Sequence, residues 1–159
     1  MRWAAVSSPI GELGVAVDAD GLCRVQFEGS PPGRAEKPDG LLAAAVTQLT
    51  EFFEGTRTDF DLPLVIRSGS DFERKVWDRI AAIGYGETNT YGAIATELGD
   101  PGAARAVGVA CNRNPLPLVI PCHRVVGAGG KLVGFGGGLP RKVHLLELEA
   151  RVTIEAAFR

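Results

Sequence analysis

Residues Ile120 to Val126 read Ile-Pro-Cys-His-Arg-Val-Val, an apolar, β-branched run interrupted by a proline, a thiol, an imidazole and a guanidinium. The plain alternative is a buried structural cysteine on a core strand. Pro121 fixes φ and removes a backbone donor, so Cys122 sits at a bend rather than inside a hydrogen-bonded ladder. Burying His123 and Arg124 without partners costs several kcal/mol, which argues against an inert cysteine on a core strand. The thiolate is the reactive form of cysteine, and a neighbouring imidazole or cation lowers its pKa from the free value of about 8.5. Cys122 is therefore a candidate nucleophile.

Charge is distributed unevenly around that segment. The net charge is −2, but residues 1–70 hold six basic and ten acidic side chains, whereas residues 71–151 hold ten and eight. Between Pro101 and Leu146 there are six basic residues and no acidic one. Anionic partners are drawn to this part of the chain. No run approaches the roughly 18 apolar residues of a membrane helix, and the N-terminus lacks the apolar stretch of a secretory signal. Three widely spaced cysteines, Cys23, Cys111 and Cys122, argue against a disulfide framework and favour a reducing cytoplasm. With no CxxC pair and only His123 and His144, no metal site is expected.

Turn signals at Ser8 to Gly11 and Asp18 to Gly21 divide residues 2–28 into a small antiparallel sheet. Residues 29–40 are rich in glycine and proline and are expected to form a flexible loop. Apolar positions 42, 45, 46, 49, 52 and 53 predict a helix over Leu41 to Glu54, closed by Gly55. One more strand is expected over Phe60 to Ile66. A boundary at Arg67 to Ser70 separates residues 1–67 from residues 68–159. Asp71 then serves as N-cap of a helix carrying Phe72, Val76, Trp77, Ile80 and Ile83 on one face.

From Thr90 the pattern is helix, turn, helix: Tyr91 to Leu98, a turn over Gly99 to Gly102, then Ala103 to Cys111. Such a unit suggests DNA, yet Ala104, Ala106 and Gly108 make the second helix slim, and Arg105 alone reaches out. Reading base edges in the major groove calls for longer polar side chains. A slim helix with one arginine suits a minor groove, with the guanidinium entering the base stack; tight helix–helix packing suits it too. Asn114 precedes Pro115, so it is extended, and its amide can bond the backbone on both sides of the bend. Beyond the cysteine, a turn over Gly127 to Gly130 leads to a short strand over Lys131 to Phe135. Gly136 to Gly138 then permits close backbone approach to a ligand. A final helix starts near Pro140, and its Glu149 can orient a histidine.

These features together resemble the O6-alkylguanine-DNA alkyltransferase family. The residues that carry the resemblance are Ile120 to Val126, Ala104 to Gly108, Asn114-Pro115, Tyr91-Gly92, Gly136 to Gly138, and Leu145-Leu146 with Glu149. The Ser8-Pro-Ile-Gly11 opening agrees as well, so the likeness covers nearly the whole chain. It implies an α+β protein: an N-terminal antiparallel sheet with a helix, ribonuclease H-like, then a mostly helical, winged helix-turn-helix-like domain. It also implies direct-reversal repair, in which the protein binds duplex DNA by the minor groove and flips O6-alkylguanine, or O4-alkylthymine, out of the stack. Cys122 then takes the alkyl group.

The resemblance assigns roles to individual residues. Arg105 fills the gap in the base stack, Arg113 joins the DNA contacts, and Tyr91 presses on the phosphate backbone and lines the base pocket. Pro117, the carbonyls of Cys122 and Val125, Phe135 and the Gly136 N–H surround the guanine. Phe135 stands where the family usually has tyrosine, so stacking survives without a hydroxyl bond; Gly136 stands where serine can occur. Glu149, His123 and a water activate Cys122, on the expectation that neighbours in an extended segment face opposite ways. Asn114 holds the bend. The S-alkylcysteine product is a thioether with no good leaving group, which implies one turnover, no cofactor, and a monomer able to bind cooperatively along DNA. A cysteine cluster is missing from the first half, which argues against the zinc-binding regulatory form. A non-catalytic damage-binding relative would lack the cysteine, and no oxyanion hole or peptide groove of a cysteine hydrolase is legible.

Overall fold

A computed structural model describes residues 1–27, 37–134 and 136–159. Most of the loop expected over residues 29–40, and Phe135, lie outside the described residues. Contacts divide the chain into two compact units, Met1–Arg67 and Ser68–Arg159. Among the described residues, no helix is long and apolar enough to cross a membrane.

The first unit is the expected antiparallel sheet, in the order β1 (Arg2–Val6), β2 (Leu13–Val17), β3 (Leu22–Phe27). Its turns are held by local side chains: Ser8 Oγ donates to the Gly11 carbonyl, and Asp18 accepts from the Asp20 and Gly21 N–H groups. The central strand β2 is buried along its whole length. Helix α1 (Gly40–Glu54) covers the sheet with Leu42, Ala45, Leu49 and Phe52, the spacing that predicted it. Gly55 ends it in the left-handed region, at φ 80°, and its N–H bonds the Phe52 carbonyl.

The strand expected over Phe60 to Ile66 does not form. Leu64 makes only an isolated bridge to Leu22, through the Leu22 N–H to the Pro63 carbonyl and the Val65 N–H to the Leu22 carbonyl. Pro63 has no N–H to extend a ladder. The segment is instead pinned by the buried Gln48 amide, which exchanges two hydrogen bonds with the Asp61 backbone at 3.0 and 2.9 Å. Apolar residues alone do not make a strand without a continuous partner.

In the second unit, α2 (Asp71–Ala81) is capped by Ser70 rather than Asp71. Ser70 Oγ accepts from the Glu73 N–H while the Glu73 carboxylate accepts from the Ser70 N–H, so two otherwise orphaned donors are satisfied at once. Val76, Trp77 and Ile80 are buried, and the Trp77 indole donates to the Ala110 carbonyl at 2.9 Å. That bond ties α2 to α4 (Ala104–Asn112). Thr90 caps α3 (Tyr91–Glu97), and Asp100 caps the turn before α4.

Two short strands, β4 (Asn89–Thr90) and β5 (Val125–Val126), pair in parallel. They fasten the segment after the cysteine to the residues that start α3. The strand expected over Lys131 to Phe135 is also missing, since residues 131–134 hold no regular structure. Gly129 and Gly130 have φ of 70° and 81°, and the Gly127 N–H closes on the Lys131 carbonyl, so the chain curls instead of extending. Helix α5 (Leu139–Ala157) follows, with Pro140 in its first turn.

Ser70→Ala is expected to lower the unfolding free energy by about 1 kcal/mol through loss of the cap. Asp71→Ala is expected to stay within about 0.5 kcal/mol of the parent. Urea unfolding followed by far-ultraviolet circular dichroism measures both, and the reverse order would restore Asp71 as the cap.

Candidate active site

The cysteine is presented by a chain of local constraints that begins where α4 stops. Asn114 leaves the helix, and its side chain staples the following bend: Nδ2 donates to the Ile120 carbonyl at 2.7 Å, and Oδ1 accepts from the Leu116 N–H at 2.9 Å. Inside the bend, Leu118 is buried with φ 75°, the one non-glycine residue with positive φ among the described residues. A leucine there costs roughly 1–2 kcal/mol, so the surrounding bonds must hold it. Pro121, at φ −80° and ψ 69°, then forms an inverse γ-turn that brings the Cys122 N–H to the Ile120 carbonyl at 2.8 Å.

Cys122 to Arg124 form one turn of 3₁₀ helix, not the extended segment expected. All three side chains are buried, with His123 fully so. The penalty that argued against burial is offset by Glu149, itself 1% exposed on α5. Its carboxylate accepts from His123 Nε2 at 2.7 Å, from Arg124 Nε and a terminal guanidinium nitrogen at 2.8 and 2.9 Å, and from the Gly86 N–H at 3.1 Å. Arg124 also donates to the Ile83 carbonyl at 2.7 Å, and its guanidinium lies 5.4 Å from the Tyr85 ring centre. The cluster draws together the turn after α2, the cysteine segment and α5.

This geometry sets the charge states. Burial would raise the Glu149 carboxyl, but hydrogen bonds from His123 and Arg124 outweigh it and hold the group below the usual carboxylate range. Burial lowers His123 despite the carboxylate. With Arg124 already neutralising Glu149, the imidazole rests neutral, donating through Nε2 and leaving Nδ1 as the acceptor. The thiol departs from the expectation of a depressed pKa. Burial pushes Cys122 up to about 11, although the Asn114 amide, the Lys142 ammonium and the backbone N–H groups of Cys122 and His123 pull it back down. Arg124, the cation next in sequence, faces Glu149.

The other predicted residues fall around this centre. Tyr91, first in α3, is half-buried; its hydroxyl donates to the Gly134 carbonyl at 3.2 Å, and burial raises the phenol to about 12. On α4, Arg105 and Ala106 are exposed while Ala104 and Gly108 are partly so. Gly108 faces Tyr91, whose ring would lie 3.9 Å from an added Cβ. Arg113 is exposed and pairs loosely with Glu73 at 3.6 Å. Pro117 is buried and bridges to Ile120. Val125 is fully buried, and its carbonyl already accepts from Lys142 at 2.6 Å. Gly136 is exposed beside Asn112.

Sequence reasoning missed two participants. Arg124 was legible only as a nearby cation, whereas it is the partner that fixes Glu149. Lys142 is one of the six basic residues counted between Pro101 and Leu146, and it is fully buried. The available signal was its place on α5, where Lys142, Leu145 and Glu149 share one face at helical spacing. Val109, half exposed beside Arg105, extends the small outer face of α4.

The chain is similar to known proteins along nearly its whole length. The chain is 48% identical, over 95% of its length and 93% of the relative's, to a methylated-DNA–protein-cysteine methyltransferase of Mycolicibacterium paratuberculosis. It is 43% identical to the enzyme of that name from Methanosarcina acetivorans, over 94% and 98% of the two chains. The crystal structure of Mycobacterium tuberculosis OGT in complex with DNA superimposes with a TM-score of 0.86 at 44% identity, covering 96% of this chain and 94% of that one. Residues 1–66 match the ribonuclease-like domain of 6-O-methylguanine DNA methyltransferase, and residues 71–151 match its DNA-binding domain. With both domains matched and the buried Cys122–His123–Glu149 arrangement present, the chain belongs to the 6-O-methylguanine DNA methyltransferase family.

Proposed function

We propose that this protein repairs alkylated DNA by moving the alkyl group from O6 of guanine to Cys122, once per molecule. The observation that carries the reading is the buried thiol beside a neutral imidazole, itself locked by a doubly held carboxylate. As the sulfur attacks, the Cys122 proton passes through a water to His123 Nδ1. The S–C bond forms as the C–O6 bond breaks; its electron pair returns to the guanine, which leaves after taking up a proton. Burial favours the protonated thiol, so its proton leaves as the sulfur attacks. The thioether that results has no leaving group, and the molecule is consumed.

Duplex DNA is the partner, approached through the minor groove by α4. Its outer face of Arg105, Ala106 and Val109 is slim enough to enter, with Arg105 replacing the extruded base in the stack and Arg113 reaching phosphate. Ala104 and Gly108 keep the helix narrow. Tyr91, Pro117, Val125, Phe135 and Gly136 shape the base pocket, and Asn114 holds the bend and donates to the sulfur. O4-alkylthymine is a second substrate. The protein acts as a monomer in the cytoplasm, where its three free cysteines stay reduced. The DNA complex of the mycobacterial relative supports DNA as the partner.

Incubation with duplex DNA carrying O6-methylguanine should add one methyl mass to the tryptic peptide containing Cys122. Cys122→Ser should bind the same duplex and transfer nothing; repeated turnover by either protein would sink the single-use mechanism. Arg105→Ala should slow repair of duplex DNA at least about tenfold while leaving reaction with free O6-benzylguanine unchanged, and equal loss on both would make Arg105 structural. His123 is held below the ordinary imidazole value of 6.5, so the neutral proton acceptor persists as pH falls through that value. The transfer rate on free O6-benzylguanine should therefore show no imidazole step at pH 6.5, and should lose the His123 contribution only at lower pH. A step centred near 6.5 would mean that the imidazole is solvated in the working enzyme.

A further inference from the structure

Glu73 is a carboxylate that the fold only half uses. Its Oε1 accepts from the Ser70 N–H at 2.9 Å, which completes the cap of α2 and fixes the side chain in place. Its Oε2 is buried and makes no hydrogen bond among the described residues. Arg113 Nη1 pairs with that oxygen at 3.6 Å, too long for a hydrogen bond but within reach of an ion pair. The two partners differ in freedom: the Glu73 side chain is 14% exposed and the Arg113 side chain 69%. Arg113 is also the C-cap of α4, its N–H bonded to the Val109 and Ala110 carbonyls, so a cation is favoured at that end of the helix.

We propose that Glu73 is a positioning residue for DNA binding: a fixed counter-charge that holds the Arg113 guanidinium back from DNA phosphate and so weakens the grip on intact duplex. The proposal rests on α4 meeting duplex DNA with Arg113 on phosphate. To reach phosphate, Arg113 must leave Glu73. The carboxylate left behind stays charged, since the Ser70 N–H, ahead of Arg113, holds it below the usual carboxylate range. It cannot turn aside, because its other oxygen is committed to the cap. The phosphate contact is therefore made against the pull of an existing pair and ends beside an unpaired anion, and both effects favour release. Phosphate contacts carry no sequence information, so the effect falls on intact and damaged duplex alike. Intact sites greatly outnumber lesions, and the pair shortens the time spent on each of them.

Binding of the full chain to a fluorescein-labelled intact duplex, followed by anisotropy at roughly 50 to 200 mM salt, tests this with the parent, Glu73→Gln, Arg113→Ala and the double variant. Glutamine keeps the reciprocal bond to the Ser70 N–H, and circular dichroism checks each fold. Glu73→Gln should tighten binding about threefold at the lowest salt, the scale of a partly exposed ion pair. Arg113→Ala should weaken binding and lower the slope of log affinity against log salt by about one. The double variant should bind like Arg113→Ala alone. Unchanged or weaker binding by Glu73→Gln overturns the proposal. So does an equal gain in the absence of Arg113, which would make Glu73 a general repulsive charge, and so does an Arg113→Ala variant with the parent affinity and slope. Glu73→Ala supplies a second neutral side chain; if neither neutral variant folds, Glu73 is a stability residue and the proposal fails. Methyl transfer from O6-methylguanine duplex is run in parallel with the parent protein: its absence would defeat the alkyl-transfer reading while leaving the Glu73 result to stand or fall on intact duplex.

Discussion

The Glu149 carboxylate is the point on which the reactive centre depends. It is buried, ionised, and met by an imidazole and a forked guanidinium from the cysteine turn and by a backbone amide from the turn after α2. A buried ion pair of this kind is poor evidence for stability, since desolvation of both charges offsets much of their attraction. Its value is directional. Removing either partner strands the other charge in the interior, so His123, Arg124 and Glu149 have one workable arrangement. That arrangement fixes the imidazole tautomer and the orientation of the cysteine turn.

The thiol is held by different means. Asn114 staples the bend, Leu118 accepts a strained φ, and Pro121 folds the chain back so that Cys122 enters a 3₁₀ turn at a set angle. The β4–β5 pairing then fastens the far side of the turn to the start of α3. These bonds span few residues and involve mostly backbone, so the site is built stiff before any substrate arrives. Stiffness of this sort lowers the barrier by orienting the sulfur in advance. It also explains why a strained leucine can persist: the bonds on each side over-determine it.

A raised thiol pKa is consistent with this architecture. Burial keeps Cys122 protonated, while Asn114, Lys142 and two backbone amides wait in position to receive charge. The slim face of α4 and the single exposed Arg105 lie on the element that leads directly into the Asn114 bend. Helix α4 and the Cys122 turn are joined by continuous chain.

Much of this was legible in the residues themselves, wherever the controlling interaction is local. The spacing of Leu42, Ala45, Leu49 and Phe52 specified α1, Gly55 its end, Pro121 the bend, and Asn114 the staple on both sides of it. Each involves residues within one or two turns, where backbone sterics and periodicity decide. Glu149 as the partner of His123 came from its place on the final helix together with the family resemblance. The strands expected at 60–66 and 131–135 failed because a strand needs a partner of matching length, and no local pattern supplies one. Ser70 displaced Asp71 as a cap through a reciprocal bond with Glu73. The assignment of Arg124 to Glu149, the burial of Lys142 and the high thiol pKa were decided by the tertiary structure alone. Desolvation and charge pairing depend on which distant groups surround an atom, and sequence order does not carry that information.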